Sequence, residues 1–230
     1  MLLTISLLGD LMFPKELNEV DVIPLPTIIE FNSFDFNSEL FTEEYIDGMK
    51  EEIRILEIKE DIKKQKVAED KRISSVTFDP YNLSKPSNLT KEEMYELLKD
   101  TGLKDVAHTY IEAEKEYGVN AFFLAGLSAL ESGWGTSNLS INHNNLTGYN
   151  IRELGDKFSF SSRSESLMAT AKLISEDYLN PNGRYFKGGD VWDINEEYCP
   201  PVPGEDVSWA DKIVSISNKL LEDYKSLITK

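Results

Sequence analysis

Apolar positions change their spacing along this 230-residue chain, and each change predicts a different element. Over residues 1–41, β-formers mix with Pro14, Pro24 and Pro26 and give way to Phe31, Phe34, Phe36 and Phe41. That texture predicts short strands and irregular chain pinned by aromatics. From Thr42-Glu43-Glu44 to about Arg72 the pattern is helical, with acids early and Lys63, Lys64, Lys66 and Lys71 late, an order that suits the helix dipole. Ile46, Met49, Ile53 and Leu56 recur at helical spacing, but Glu60 and Lys63 interrupt the seam. So short a run does not make a coiled coil, and the helix is expected to pack on its own chain. Residues 73–89, with Asp79-Pro80, Lys85-Pro86 and Ser87-Asn88, read as a linker or domain entrance.

From Thr90 onward the helices carry start and stop signals. Thr90-Lys91-Glu92-Glu93 is a capping box ahead of Met94, Leu97 and Leu98. Val106, Tyr110, Ala113 and Tyr117 form one face of a helix that Gly118 ends. Asn120 then caps Ala121–Leu130, where Phe122, Phe123, Leu124, Leu127 and Leu130 leave no polar side, the mark of a buried helix. Further helices are expected over Ser164–Leu179 and Ser208–Leu227. Ahead of the first of these, Lys157-Phe158-Ser159-Phe160 alternates as a strand does, and Ile151–Asp156 supplies a turn, so a β-hairpin is expected.

Composition narrows the field. Lys+Arg is 24 against Asp+Glu 41, a net charge of -17, which argues against nucleic acid as the partner, since phosphate contact needs clustered cations. Acidity is spread over both halves, so charge does not locate the functional part. No apolar run reaches the roughly 18–20 residues of a membrane span. Met1–Gly9 is apolar but lacks a basic leader and meets Asp10 at once, so it reads as a strand, not a signal peptide. One cysteine, Cys199, excludes an intrachain disulfide, and with two histidines no metal or other cofactor is expected.

The most informative carboxylate is Glu131, placed after the apolar run and before Gly133 and Gly135. Desolvation and the negative end of a helix both disfavour its ionised form, which is what a general acid needs. The bland reading is a glutamate that turns to solvent where the helix stops. Downstream, Asn142-His143-Asn144-Asn145 and Tyr149 supply amides and an aromatic, the groups that bond sugar hydroxyls and stack on sugar faces. Taken separately, the asparagine run is an ordinary loop and His143 an ordinary surface residue.

Ordered blocks then join these pieces: Tyr117-Gly118-Val119-Asn120, Leu130-Glu131-Ser132-Gly133-Trp134-Gly135, Asn144-Asn145-Leu146-Thr147-Gly148-Tyr149 and Ser164-Glu165-Ser166-Leu167. Tyr178-Leu179, Gly183-Arg184-Tyr185-Phe186-Lys187-Gly188, Ile194-Asn195-Glu196-Glu197-Tyr198 and Trp209-Ala210-Asp211-Lys212-Ile213 follow. In this order they resemble the β-N-acetylglucosaminidase family of bacterial autolysins and phage peptidoglycan hydrolases (glycoside hydrolase family 73). The resemblance implies an α+β fold: a mainly helical, lysozyme-like domain with a small β-hairpin lobe over residues 81–230. Residues 1–80, with short strands and one long helix, are then an accessory or docking segment.

It also implies hydrolysis of the β-1,4 bond after N-acetylglucosamine in peptidoglycan. Carried over, Glu131 is the general acid and Tyr198 the tyrosine near the scissile sugar; Trp134 and Trp209 line or pack the cleft wall, and Asn145 and Tyr149 bind substrate. A second carboxylate belongs on the hairpin lobe, Glu153 ahead of Asp156, unless the substrate's acetamide takes that part. Glu165, at a helix start, reads as structural. Lytic transglycosylase or muramidase action on the same polymer, or an inactive wall-binding or phage-structural module, are the alternatives. The partner is peptidoglycan at the bacterial cell wall. Residues 1–80 are expected to dock a phage particle or similar assembly in preference to being part of an exported autolysin.

Overall fold

A computed structural model describes residues 42–150, 158–200 and 208–229. Contact clustering divides the chain into Met1–Lys59 and Glu60–Lys230. From Glu43 on, the described part of the first unit belongs to α1 (Glu43–Ser74), which has Glu43 and Glu44 in its first turn and Lys71 and Arg72 in its last. None of its residues is buried among the described residues, and near its C-terminal end Arg72 donates to both Glu93 oxygens and to the Asn88 carbonyl. Pairs one turn apart, such as Lys50–Asp47 and Lys64–Glu60, support it from its own surface.

In the second unit the local signals act where they were read. α2 (Lys91–Leu98) starts at the Thr90 capping box, with the Glu93 N–H donating to Thr90 Oγ1 and the Thr90 N–H to Glu93 Oε2. α3 (Ala107–Tyr117) stops at Gly118, whose φ of 68° only glycine adopts without strain. α4 (Ala121–Ser132) begins at Asn120, whose side-chain oxygen accepts from the N–H groups of Phe122 and Phe123. α5 (Asn138–His143), whose last two residues open the asparagine run read as a loop, is capped by Ser137. α6 (Arg163–Leu173) continues as a π-helical turn over Ile174–Leu179. α7 (Val191–Tyr198) starts at an Asp190–Asp193 capping box, and α8 (Trp209–Ile228) at Ser208.

The apolar helix α4 is the centre of the core. Its first nine residues are buried, and α8 packs on it more extensively than any other element. Gly126 permits that approach: a Cβ there would stand 2.4 Å from Ser217 Oγ and 3.1 Å from the Ile213 carbonyl oxygen of α8. Ser217 Oγ donates to the Phe122 carbonyl, so the one polar group at the contact is satisfied. α3 packs on the side of α4, with α2 and α6 against α3.

Two expectations are corrected. Residues 75–89 are not a loose linker: Val76, Phe78, Leu83 and Leu89 are buried, and the Asn120 side chain donates to the Thr77 and Lys85 carbonyls. The fold is helical and not α+β, because no strand occurs among the described residues. Phe158–Phe160 has no ladder partner. Its carbonyls at 158 and 160 accept from the side-chain amides of Asn145 and Asn144, and the Phe160 N–H donates to the His143 carbonyl. Backbone groups that side chains satisfy have no call for a second strand. The proposed turn of that hairpin, residues 151–156, and the short strands expected in residues 1–41 lie outside the described residues.

Candidate active site

Glu131 stands in the last turn of α4, one residue before its end. The chain leaves the helix by three consecutive residues of positive φ, Gly133 (56°), Trp134 (59°) and Gly135 (79°). For tryptophan this conformation costs about 1–2 kcal/mol. Ser132 holds the turn: its Oγ donates to the Ser128 carbonyl and accepts from the Gly135 N–H at 2.7 Å, while its carbonyl accepts from Thr136 and Ser137.

Around the Glu131 carboxyl the structure assembles groups from far along the chain. Trp209 Nε1–H donates to Oε1 at 2.6 Å. Oε2 lies 3.5 Å from where a Gly148 Cβ would be, so glycine there keeps a side chain off the carboxyl. The Tyr198 ring stacks on Trp209 at 5.2 Å, and its hydroxyl donates to the Thr147 carbonyl at 2.9 Å. Burial of the carboxyl among these neighbours raises its pKa, and the Trp209 N–H acts against that by stabilising the anion. The residue as a whole is nonetheless exposed. Glu131 is thus crowded at its head group and open on one side, the situation of a group in a cleft wall. The Tyr198 hydroxyl is pushed well above its usual range, first by burial and then by the charge of Glu131, so it stays neutral.

Beside the acid runs a groove of about 600 Å³, walled by Gly148, Tyr149, Phe158, Tyr178, Tyr185 and Tyr198. Asp177, Arg184 and Glu197 add charge to its lining. Tyr178 contacts both Tyr185 and Tyr198, and Tyr149 lies against Phe158 and Phe160, so aromatic faces continue from the acid along the groove. The π-helical turn carries Asp177 and Tyr178 into this wall; such turns recur at functional sites.

The residues singled out from the sequence separate here. Glu131, Tyr198 and Trp209 meet, and Tyr149 lines the adjoining groove. Trp134 is 36 % exposed on the left-handed turn and does not line that groove. Asn145 is placed differently from its expected role in binding substrate. It is buried, its amide donates to the Tyr149 and Phe158 carbonyls, and its oxygen accepts from the Tyr149 and Thr147 N–H groups. With those groups occupied it holds the Thr147–Tyr149 loop and has no donor left for a sugar. His143 pairs with Ser159 instead of facing the groove. Glu153 and Asp156 lie outside the described residues.

Sequence reading passed over Thr147, Gly148, Tyr178 and Tyr185. All four fall within the matched blocks, where recurring tyrosines were the available signal.

Comparison with known proteins shows the family and the fold. The glucosaminidase family model, described as mannosyl-glycoprotein endo-beta-N-acetylglucosaminidase, matches residues 107–222. Two assigned endo-beta-N-acetylglucosaminidases from strains of Streptococcus pneumoniae are each 30% identical over 149 residues, 61% of this chain. The match takes in 22% and 20% of their lengths, so the chain spans about a fifth of the relatives it matches. The crystal structure of Staphylococcus aureus autolysin E in complex with the muropeptide NAM-L-Ala-D-iGlu superposes with a TM-score of 0.52 at 20% identity, covering 67% of this chain and 77% of that one. A catalytic Glu-to-Ala mutant of that autolysin, in complex with the disaccharide NAG-NAM, gives 0.51 at the same identity and coverage. At that identity the likeness is one of fold.

Proposed function

The chain belongs to the glucosaminidase family, and on that premise we propose that it hydrolyses the β-1,4 bond following N-acetylglucosamine in bacterial peptidoglycan, with Glu131 as general acid. One observation carries this reading: a glutamate whose pKa is raised by burial stands beside a tyrosine-walled groove and is open on one side. The disaccharide and muropeptide bound by the autolysin of like fold fit that choice of polymer.

In this mechanism the protonated Glu131 gives its proton to the glycosidic oxygen as the bond to the anomeric carbon breaks. Trp209 N–H, already bonded to Oε1, steadies the carboxylate left behind. The remaining sugar becomes oxocarbenium-like and electron-poor. Tyr198 donates its own proton to the Thr147 carbonyl. With its proton so engaged, the Tyr198 oxygen is left to act as an acceptor toward that developing charge. Tyr149, Tyr178 and Tyr185 offer faces for sugar rings along the groove, and Trp209 backs the Tyr198 ring in its wall. The group that completes the reaction is Glu153, with Asp156 next, or else the substrate's own acetamide.

The test is incubation of purified cell wall with the protein, followed by mass spectrometry of released fragments. N-acetylglucosamine at the new reducing end is the expected product. Muramic acid there makes the enzyme a muramidase, an anhydro-muramic end makes it a lytic transglycosylase, and no release makes the chain a binding module. Loss of activity in Glu153→Gln favours two carboxylates; retention favours the acetamide. Residues 1–80 belong to the proposal as a segment docking the enzyme to a phage particle or similar assembly, with an exported autolysin as the other setting. Since Val76 and Phe78 are core residues, a truncation that starts at Ser75 separates docking from folding.

A further inference from the structure

We infer that Arg163 is a positioning residue for Glu131, acting through the left-handed turn that ends α4; this rests on the reading of Glu131 as the acid. The turn is built against its own preferences. Trp134 holds a φ of 59° between two glycines of the same sign, a conformation that an L residue leaves when nothing opposes it. What opposes it comes from two other segments. A Cβ on Gly102 would stand 2.6 Å from the Trp134 carbonyl oxygen, so backbone closes the turn from one side. A Cβ on Gly135 would fall 2.4 Å from Arg163 Nη2, so the guanidinium lies directly over Gly135 on another.

Arg163 is anchored in that place. Nη1 donates to Asp105 Oδ1 at 2.7 Å, and Nη2 makes a long contact of 3.4 Å to the Gly135 carbonyl, which also accepts from Ser140 Oγ. Its Nε–H is buried and has no hydrogen-bond partner. A buried donor left unmade is unfavourable, so the guanidinium is held where it is by its Asp105 and Gly135 contacts at some cost. Its geometry covers the turn. The Gly133 and Trp134 N–H groups both donate to the Ala129 carbonyl, two residues before Glu131. Relaxation at Trp134 therefore passes directly into the helical turn that aims the acid.

Removing the guanidinium is expected to lower kcat on solubilised wall glycan by about 10- to 100-fold with KM little changed. Part of the loss should return on adding millimolar guanidinium, but not in Arg163→Lys, whose ammonium lacks the planar fork. A purely structural role would give no such rescue. Arg72→Ala, which removes an ion pair on α1, serves as the stability control and should leave kcat unchanged. Trp134→Gly abolishes the strain, so adding Arg163→Ala in that background should lower kcat far less than it does alone. A carbon-13 titration of the Glu131 carboxyl reads the same effect without turnover: its pKa should move in Arg163→Ala and stay put in Arg72→Ala. Unchanged kcat and titration in Arg163→Ala, or equal losses with and without Trp134→Gly, overturn the inference. Full activity in Glu131→Gln instead overturns the reading of the acid, whatever Arg163 does.

Discussion

Glu93 and Glu131 are both glutamates at a helix end whose carboxyls are crowded by neighbouring side chains, and the fold moves their pKa values in opposite directions. Glu93 is in the first turn of α2. Burial alone would raise its carboxyl, but the fork of Arg72 donates to both oxygens at 2.8 and 3.0 Å, the Thr90 N–H adds a bond at 2.8 Å, and Tyr224 donates at 3.3 Å. The anion wins, and the pKa falls. Glu131, in the last turn of α4, has among the described residues one side-chain donor, the Trp209 indole, and no paired cation, so burial wins and the pKa rises. Covering a carboxylate thus yields a structural anion or a proton carrier according to how many donors the fold aims at it.

The largest expected effect of breaking this contrast is on the acid. Glu131→Gln should cut wall hydrolysis by about 10²–10⁴-fold, measured as fragment release from purified wall. The same substitution should make the protein slightly more stable at neutral pH. A carboxyl whose folded pKa is raised binds its proton more tightly in the native state, so its contribution is lost as pH rises from the usual carboxyl value through the folded one. A neutral amide escapes that loss. Equal or lower melting temperature at pH 7, with equality also at pH 4, would contradict the sign.

Trp209→Phe should come next, lowering the rate and carrying the alkaline limb of the pH–rate profile upward, because it removes the indole N–H that stabilises the Glu131 anion. On the structural side, Glu93→Gln or Arg72→Met should reduce stability by about 1–3 kcal/mol at pH 7 and leave kcat alone. Glu93 has a depressed folded pKa, so its stabilisation is present above the unfolded value and fades as pH falls through the folded one. Urea titrations at pH 7 and pH 3 should show the deficit shrinking at the lower pH. Smallest of all, Lys219→Ala should leave the urea midpoint unchanged within error, since its pair with Asp223 is exposed.

Much of this was legible beforehand where a signal is local. Glu131 stood out because ten nearly apolar residues precede it and glycines follow. Its donor, Trp209, lies 78 residues away, and the pairing between them has no local signature. Asn145 was misread for the same reason: an amide in an asparagine run looks available until its neighbours in space are known, and here they are four backbone groups. The alternation at Phe158–Phe160 suggested a strand, but alternation says which side chains share a face, not what the backbone bonds to, and here asparagine side chains take that part.

Sequence by itself determined where helices begin and end, through Thr90 with Glu93, Asn120, Gly118 and Ser208, because capping is settled within a few residues by short side-chain bonds and backbone sterics. It also determined that α4 would be the buried helix, because a segment without a polar face has nowhere else to go. Only the tertiary structure decided that residues 75–89 join the core, that Tyr198 and Trp209 converge on Glu131, and that Arg163 closes the turn behind it. Those contacts join distant segments through shape and unmet hydrogen-bonding groups, and such complementarity exists only once both surfaces have formed.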